Sequence, residues 1–441
     1  ISRITNGTQN VDMQAIAGTG LFSSGADLTP SDGQTSDGFG IGCSISGDGK
    51  YIAIGSAYEN SSQGAAYVYY NDGSGTGFVQ QAKLTENPRT NNSRFAEQLA
   101  INDDGTTLAI NSANSAEIWV RSGTSWSRQA ELGHATGLVG FLDNGIDLSS
   151  DGNTCIYGAG KEHSNGLSDN GVVRISVRSG TSWSQQAVLT ASDRATNAAF
   201  GTACCLSKDG NTALIGALRA NSNKGQGYVF VRSGTSWSQQ AILSGSAWFY
   251  AGNSVALSSD ASTAAIGIYG HYRGGSTFGI GMVSVFTRSG TSWSQQAELV
   301  DPVNTGAFEA FGLGMDMTAD GNTIVVGSPG DGQGGTNTGS VHTFTRSGTS
   351  WSNTQQLRGN APSANKQLGV ALKLDDAGET LVVGVPDAVL FSPTGAGSPG
   401  RAEVMQAASK FLSMNSLILA NGTQLSFTGQ HLCFPEGPME R

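Results

Sequence analysis

The chain has 441 residues, of which 63 are Gly and only 13% are charged, a composition typical of turn-rich β proteins. Its formal net charge of −10 argues against nucleic-acid binding, which needs clustered cations, and no apolar run approaches the roughly 18 residues of a membrane-spanning helix. We therefore expect a globular protein that neither binds nucleic acid nor inserts into a membrane.

The first 38 residues precede a long series of repeats and contain a closing strand and a linker. Within them, Asn6–Ile16 imitates a phrase of the later repeats with one residue inserted. We predict that this N-terminal strand completes the last repeat and joins the two ends of the chain. Lys410–Leu419, which follows the last repeat directly, is the alternative.

Two phrases alternate through residues 39–407, and such self-similarity is the signature of a repeat protein. Ser-Gly-Thr-Ser-Trp-Ser-Gln-Gln-Ala-x-Leu or a variant occurs six times, around Phe78, Trp126, Trp183, Trp237, Trp293 and Trp351. The second phrase, Phe-Gly-x4-Leu-Ser-x-Asp-Gly-Asn-Thr, occurs seven times in more or less altered form, with turns at Asp48-Gly49, Asp104-Gly105, Asp151-Gly152, Asp209-Gly210, Asp260-Ala261, Asp320-Gly321 and Ala377-Gly378.

One repeat shows the predicted strands most clearly. Alternating or apolar runs predict strands at Thr202–Ser207, Thr212–Ala217, Tyr228–Arg232 and Trp237–Leu243. The Asp209-Gly210 pair predicts a tight turn with positive φ at both residues. Four short antiparallel strands per repeat and seven repeats predict an all-β fold, a seven-bladed β-propeller of four-stranded antiparallel blades at 39–407.

The tail at 408–441 departs from the repeat and contains strand-like segments that end near Pro435 and Pro438. We expect it to lead to a further domain or to join a larger assembly. The five cysteines form no Cys-x-x-Cys pair, so the sequence predicts neither a zinc site nor a disulfide framework.

Phe-Gly pairs such as Phe39-Gly40, Phe200-Gly201 and Phe311-Gly312, with the Gly-Ala or Gly-Ser that ends each second strand, resemble the FG-GAP type of β-propeller repeat. The resemblance covers nearly the whole chain. The repeats are also distantly similar to those of the integrin α-subunit head. It implies extracellular recognition. The calcium loop of the integrin-like repeats is shortened here to Ser-x-Asp-Gly-Asn-Thr, which offers too few oxygens for calcium, so we expect no metal site.

The fifth repeat differs most from the others, and function in propellers usually lies where the repeats differ. Its two variable loops are expected to meet on one face of the ring, where aromatic rings beside a cation suit a sugar or a partner side chain. The predicted ligand-binding residues are Trp248, Phe249, Tyr250, Tyr269, His271, Tyr272 and Arg273. Rings that merely cover the end of the core are the alternative.

Other recurring residues have structural interpretations. The Asp of each Asp-Gly turn stabilises a hairpin, the repeated Trp seals neighbouring blades, and the Arg before each turn fixes local geometry. Gly330–Gly335 matches GxGxxG without a following helix, and Asp301, Glu309, Asp331 and Asp387 form no evident acid–base pair. We expect no catalytic residues and no cofactor.

These observations favour a non-enzymatic binding or adhesion module that recognises a glycan or a surface protein through its loops. We expect this module to be extracellular or displayed on a cell or virion surface. A structural building block of a fibre, spike or capsid is the alternative. A carbohydrate-active enzyme would need a pair of carboxylates at a suitable spacing in the central channel.

Overall fold

The structure, a computed structural model, describes in full residues 22–23, 25–74, 77–88, 90–113, 115–133, 145–245, 249–271, 279–303, 308–360, 362–387 and 398–407. The backbone alone is described for strands Ser2–Asn6, Gln9–Met13, Ser416–Ile418 and Gln424–Ser426. Among the described residues, no helix has the length and apolar character needed to cross a membrane.

Contacts divide the chain into two units, one of residues 20–407 and one of residues 1–19 with 408–441. In the smaller unit, Ser2–Asn6 pairs antiparallel with Gln9–Met13, and Ser416–Ile418 pairs antiparallel with Gln424–Ser426. The larger unit contains all of the repeats.

The larger unit is all-β, and its described residues form seven antiparallel sheets, each of which is one blade of a propeller. Two helical turns, Glu59–Ser62 and Ala220–Asn223, lie between the second and third strands of blades 1 and 4. In chain order, the strands are Phe39–Ile45, Tyr51–Ser56, Ala65–Tyr70 and Val79–Leu84 in blade 1; Leu99–Ile101, Thr107–Asn111, Ser115–Ser122 and Ser125–Gly133 in blade 2; and Ile146–Leu148, Thr154–Ala159, Val172–Ser179 and Ser182–Leu189 in blade 3. They are Phe200–Leu206, Thr212–Ala217, Gln226–Ser233 and Ser236–Leu243 in blade 4; Ala251–Leu257, Thr263–Ile268, Met282–Ser289 and Ser292–Leu299 in blade 5; and Met315–Met317, Thr323–Ser328, Ser340–Ser347 and Ser350–Leu357 in blade 6. Blade 7 consists of Leu372–Leu374, Thr380–Val385 and Arg401–Ala407, with Phe22–Ser23 and Asp27–Leu28 on the outside.

The first strand of each blade contacts the first strand of the next, and the first strands of blades 7 and 1 also meet, which closes the ring. Second strands are covered by blades on both sides, so all six residues of Thr212–Ala217 are buried. Cys204 packs in the cluster shared by blades 3 and 4, whereas Cys205 packs toward blade 5. The core therefore lies between the blades, and the seven-bladed fold is confirmed.

The N-terminal part of the chain completes blade 7, as predicted, but the strand lies further along than expected. Phe22–Ser23 and Asp27–Leu28 pair with Arg401–Ala407, while Asn6 pairs with Gln9 in a hairpin of the smaller unit. Phe22 and Leu28 are buried in the core. Residues 14–16 of the predicted segment lie outside the described residues, and the observed closing strand begins at Phe22 and lacks the Gln-Gln-Ala phrase.

Glycines at the ends of the second strands set the distance between blades. A Cβ on Gly216 would lie 2.0 Å from the carbonyl oxygen of Gly252 in the next blade, which is closer than atoms can approach. The same backbone contact occurs at Gly55, Gly158, Gly267, Gly327 and Gly384. Close packing of the blades therefore requires the glycine of the Gly-Ala or Gly-Ser phrase.

The Asp-Gly turns differ from the prediction in one respect. In the Asp209-Gly210 turn of blade 4, Gly210 has positive φ, at +66°, but Asp209 does not, because the turn contains four residues between Ser207 and Thr212. The Asp209 carboxylate accepts hydrogen bonds from the Ser207 hydroxyl and the Asn211 backbone. Burial raises the pKa of Asp209, but these bonds outweigh it and the net pKa is lowered. The carboxylate thus stabilises the turn.

The repeated tryptophans connect the outer strands of neighbouring blades. The indole Nε1 of Trp237 donates to Gln186 Oε1 of blade 3 over 3.0 Å, and Arg232 lies over the Trp237 ring at 5.6 Å. Equivalent bonds join Trp126 to Gln81, Trp183 to Gln129, Trp293 to Gln240 and Trp351 to Gln296. The Trp side chains therefore seal the blades.

Candidate functional site

Two sets of loops lie at the same end of the strands and form what we call the loop face. One set joins the second strand of a blade to its third, as residues 57–64 do in blade 1, and the other leads from one blade to the next, as residues 85–94 do. These loops vary in sequence between the repeats, whereas the Asp-Gly and Ser-Gly-Thr turns at the opposite end are nearly constant.

A cavity of about 410 Å³, the size of many ligand sites, lies where the first strands meet the loop face, and we call it the axial cavity. All seven first strands contribute to its wall, including Cys43 and Lys373. Lys161, Arg219 and Tyr269, from the second-to-third loops of blades 3, 4 and 5, line its loop side. The cavity thus combines a rigid wall with variable loop residues.

The described lining of the axial cavity is basic although the chain as a whole is acidic. It includes Lys161, Arg219 and Lys373 and contains no Asp or Glu. Burial lowers the pKa of Lys373, but Asp316 at 3.2 Å and Asp147 outweigh burial and raise it. No carboxylate of the described residues lies within ion-pair distance of Arg219. Its guanidinium is therefore available to an anion.

Blade 5 contributes a group of aromatic side chains to the loop face. The rings of Tyr250 and Tyr269 stack with centroids 5.8 Å apart and planes 12° apart, and Phe249 contacts Tyr250 edge to face at 4.7 Å. The two loops of blade 5 therefore meet. Tyr269 also lines the axial cavity, so it joins the aromatic group to the basic lining.

These rings do not occupy the place of the buried aromatic pair that blades 1, 4 and 6 contain. Phe200 packs edge to face on Tyr228 at 5.3 Å, and blades 1 and 6 contain equivalent pairs. In blade 5 the corresponding residues are Ala251 and Ser284, which are both small and buried. Blade 5, like blades 2 and 7, lacks the internal pair, and it carries half-buried rings at the loop face.

The backbone of Tyr250 has positive φ, at +56°, but this conformation belongs to the repeat. Ala199, Ala310 and Gln367 occupy the corresponding positions in blades 4, 6 and 7, and each also has positive φ. Strained backbone can mark a functional site, but here it reflects the path of the chain into blades 4 to 7. The side chain of Tyr250, and not its conformation, distinguishes blade 5.

The structure brings Phe249, Tyr250 and Tyr269 together, and His271 lies half-buried at the end of the same loop. Trp248, Tyr272 and Arg273 lie outside the described residues. The four acidic residues noted in the sequence, Asp301, Glu309, Asp331 and Asp387, are all buried and none lines the axial cavity.

Sequence reasoning missed the basic residues of the axial cavity. Lys161 and Arg219 each lie three positions after the glycine that ends the second strand, Gly158 in one blade and Gly216 in the other. Alignment of the repeats on that glycine could have identified them. Lys373 carried no such signal, because its position depends on the closure of the ring.

Comparison with known families gives a match to the FG-GAP repeat over residues 22–69, 183–230 and 293–344. Each match begins on an outer strand, at Phe22, Trp183 or Trp293, and continues through the first three strands of the following blade. The sequence repeat therefore spans two blades, and Phe22 takes the place of the repeated Trp. No curated protein sequence matches the chain significantly. The protein is a seven-bladed β-propeller with FG-GAP repeats at these three positions.

Proposed function

We propose that the protein is a non-enzymatic binding module, extracellular or displayed on a cell or virion surface, that recognises a glycan or a surface protein through its loop face. FG-GAP propellers are commonly extracellular, adhesion-type and non-catalytic binding folds, which supports this class of function. The observation that carries the proposal is the axial cavity with Arg219 and Tyr269 on its loop side.

An acidic glycan suits this site best. Arg219 can donate two parallel hydrogen bonds to a carboxylate or sulfate group, and charge-assisted bonds of this kind are strong. The stacked rings of Tyr250 and Tyr269 offer an apolar surface to the face of a sugar. The described lining of the cavity carries three basic side chains and no carboxylate, which favours an anion there although the chain has a net charge of −10.

Binding to an array of acidic and neutral glycans, together with candidate surface proteins, tests the proposal. We expect the intact chain to bind acidic glycans selectively. Arg219→Gln should weaken binding about tenfold or more, because it removes a charge-assisted bond to the ligand. Tyr269→Ala should weaken it through loss of stacking.

Arg194→Gln is the matched control, because it removes the same charge from an exposed loop residue of blade 4 that does not line the axial cavity. Binding by this variant should equal that of the intact chain. The proposal fails if the folded chain binds nothing, or if Arg219→Gln and Tyr269→Ala bind as the control does.

A structural building block of a fibre, spike or capsid is the second candidate. It is favoured by the separate unit that residues 1–19 form with 408–441, which lies outside the repeats. Under this alternative, the partner would be another protein of the assembly and the C-terminal tail would carry the contact. Removal of residues 408–441 would then abolish assembly and leave glycan binding unaffected.

A further inference from the structure

A buried polar cluster in blade 6 is separate from the residues that line the axial cavity. It consists of Asp301, Asp331 and His342, which are fully buried and each offer one ligand atom within 4.8 Å of the other two. His342 Nε2 lies 3.3 Å from Asp301 Oδ2 and 3.2 Å from the hydroxyl of Ser340. An imidazole nitrogen, two carboxylates and a hydroxyl therefore converge.

Blade 1 shows what occupies the corresponding space in another repeat. Asp32 and Glu59 come from the same two loops as Asp301 and Asp331, and the ammonium of Lys83 lies 2.6 Å from one and 2.8 Å from the other. The Tyr67 hydroxyl lies within hydrogen-bond distance of both carboxylates, at 2.7 Å from Asp32 and 2.8 Å from Glu59. A cation between the two acidic side chains holds the loops together in blade 1.

Blade 6 keeps the two carboxylates but has lost that ammonium. The strand register places Gln356 where blade 1 has Lys83, and His342 where blade 1 has Tyr67. Neither replacement is an ammonium group, because glutamine is uncharged and an imidazole is a common metal ligand. The same position of the fold has therefore exchanged a fixed cation for a potential metal ligand.

The charged side chains of the cluster favour a bound cation. The guanidinium of Arg358, which is partly exposed, lies 3.4 Å from Asp331 Oδ2. The two buried carboxylates of Asp301 and Asp331 and the imidazole of His342 thus face one another in a site shielded from water. Buried carboxylates are usually paired or coordinate a metal, so a divalent cation would stabilise this arrangement.

The donor set indicates which cation. Calcium prefers six to eight oxygens, whereas imidazole nitrogen with carboxylates suits zinc or manganese. Zinc binds such ligands at about 2.0–2.2 Å in tetrahedral geometry, which places neighbouring ligand atoms roughly 3.3 Å apart. The His342 and Asp301 ligand atoms already have this separation of 3.3 Å.

Side chains around the cluster can orient the ligands, as is usual at metal sites. Gln356 donates to Asp331 Oδ2 over 3.2 Å. The Asn353 amide lies 3.4 Å from His342 Nδ1, and a half-turn of the amide presents its oxygen to accept a hydrogen bond from Nδ1–H. Nε2 would then be free of its proton and able to bind a metal.

We propose that Asp301, Asp331 and His342 bind one divalent transition-metal ion, zinc or manganese, in the position that the Lys83 ammonium occupies in blade 1. The ion joins the loop leading into blade 6 to the loop after its second strand. It stabilises the folded blade and does not depend on any ligand at the axial cavity.

Calorimetric titration of the chelator-treated full chain with zinc, manganese and calcium chloride tests this proposal. We expect one equivalent of zinc or manganese to bind, calcium to bind more weakly, and the bound metal to raise the temperature of unfolding. Asp301→Asn should weaken binding about 100-fold or more, since it removes a charged ligand. Gln356→Lys should abolish binding, because it restores the ammonium of blade 1.

Asp193→Asn is the matched control, because Asp193 lies in the loop leading into blade 4 and bonds to Tyr228, with no His in the cluster. It should bind metal as the parent chain does. Circular dichroism confirms that each variant is folded. The proposal is overturned if the folded parent chain binds neither zinc nor manganese at millimolar concentration, if calcium binds most tightly, or if Asp301→Asn and Gln356→Lys retain the parent affinity.

Discussion

At the scale of single residues, side chains that recur in every repeat serve the ring, and side chains that break the repeat form the candidate sites. Trp237 bonds to a Gln of the preceding blade, as its counterparts do, so this contact stabilises the junction between blades. Arg232 lies over the Trp237 ring, and the same contact recurs in blades 3, 5 and 6. Arg219 and Tyr269 have no such repeated role and line the axial cavity. Function is therefore expected at positions that differ between repeats.

The contact between Trp237 and Gln186 can be tested by substitution. Gln186→Leu removes the acceptor of the indole N–H, and we expect the free energy of unfolding to fall by about 1 kcal/mol. Urea denaturation measures the change. Gln185→Leu alters an exposed neighbour on the same strand and should change stability by less than about 0.5 kcal/mol. Equal effects of the two substitutions would show that the bond contributes nothing.

At the scale of strands and turns, the sequence predicted most of the fold because period and turn chemistry are local. Thr212–Ala217 has the predicted bounds, since buried second strands consist of continuous apolar residues. Other strands begin or end one or two residues from prediction. The strand at Phe22–Ser23 could not be predicted, because it is two residues long and its partner lies at the other end of the chain.

Packing between blades gives a sharp prediction for the second strands. Gly216→Ala should lower the free energy of unfolding by at least about 2 kcal/mol, because the new methyl group would lie 2.0 Å from the Gly252 carbonyl oxygen and backbone must move. Thermal and urea unfolding measure the loss.

Gly133→Ala is the control for this substitution. Gly133 ends the outer strand of blade 2, and a Cβ there would meet nothing within 4 Å, so stability should change by less than about 0.5 kcal/mol. If Gly216→Ala is as stable as Gly133→Ala, the blades do not depend on this close approach.

At the scale of the whole molecule, the ring depends on the pairing of distant segments. Phe22 and Leu28 enter the core of blade 7, and Gln355 of blade 6 bonds to both backbone groups of Phe22. The N-terminal part of the chain thus takes the place of a fourth strand that the last repeat lacks. The axial cavity also exists only in the closed ring, because all seven first strands line it.

Truncation tests the closure of the ring. A chain of residues 20–407 should unfold at about the temperature of the full chain, because it retains the whole propeller unit. A chain of residues 29–407 loses the burial of Phe22 and Leu28, and we expect a loss of about 3 kcal/mol or more. Circular dichroism melting compares the two. Equal melting temperatures would contradict closure by residues 22–28.

The candidate sites were less predictable than the fold. The sequence indicated Tyr250 and Tyr269 because aromatic residues interrupt an otherwise regular repeat. It could not indicate that Lys373 lines the same cavity as Arg219, or that Asp301 and His342 converge, because these contacts arise from the path of loops and from blades that neighbour each other only in the ring.

The most direct test of a recognition site at the axial cavity is a crystal structure of the full chain with the glycan that binds it most tightly on the array. We expect the sugar in the axial cavity, with its acidic group bonded to Arg219 and its ring against Tyr269. Sugar bound elsewhere, at the outer strands or on the opposite face, with the axial cavity residues uncontacted, would contradict the proposed function.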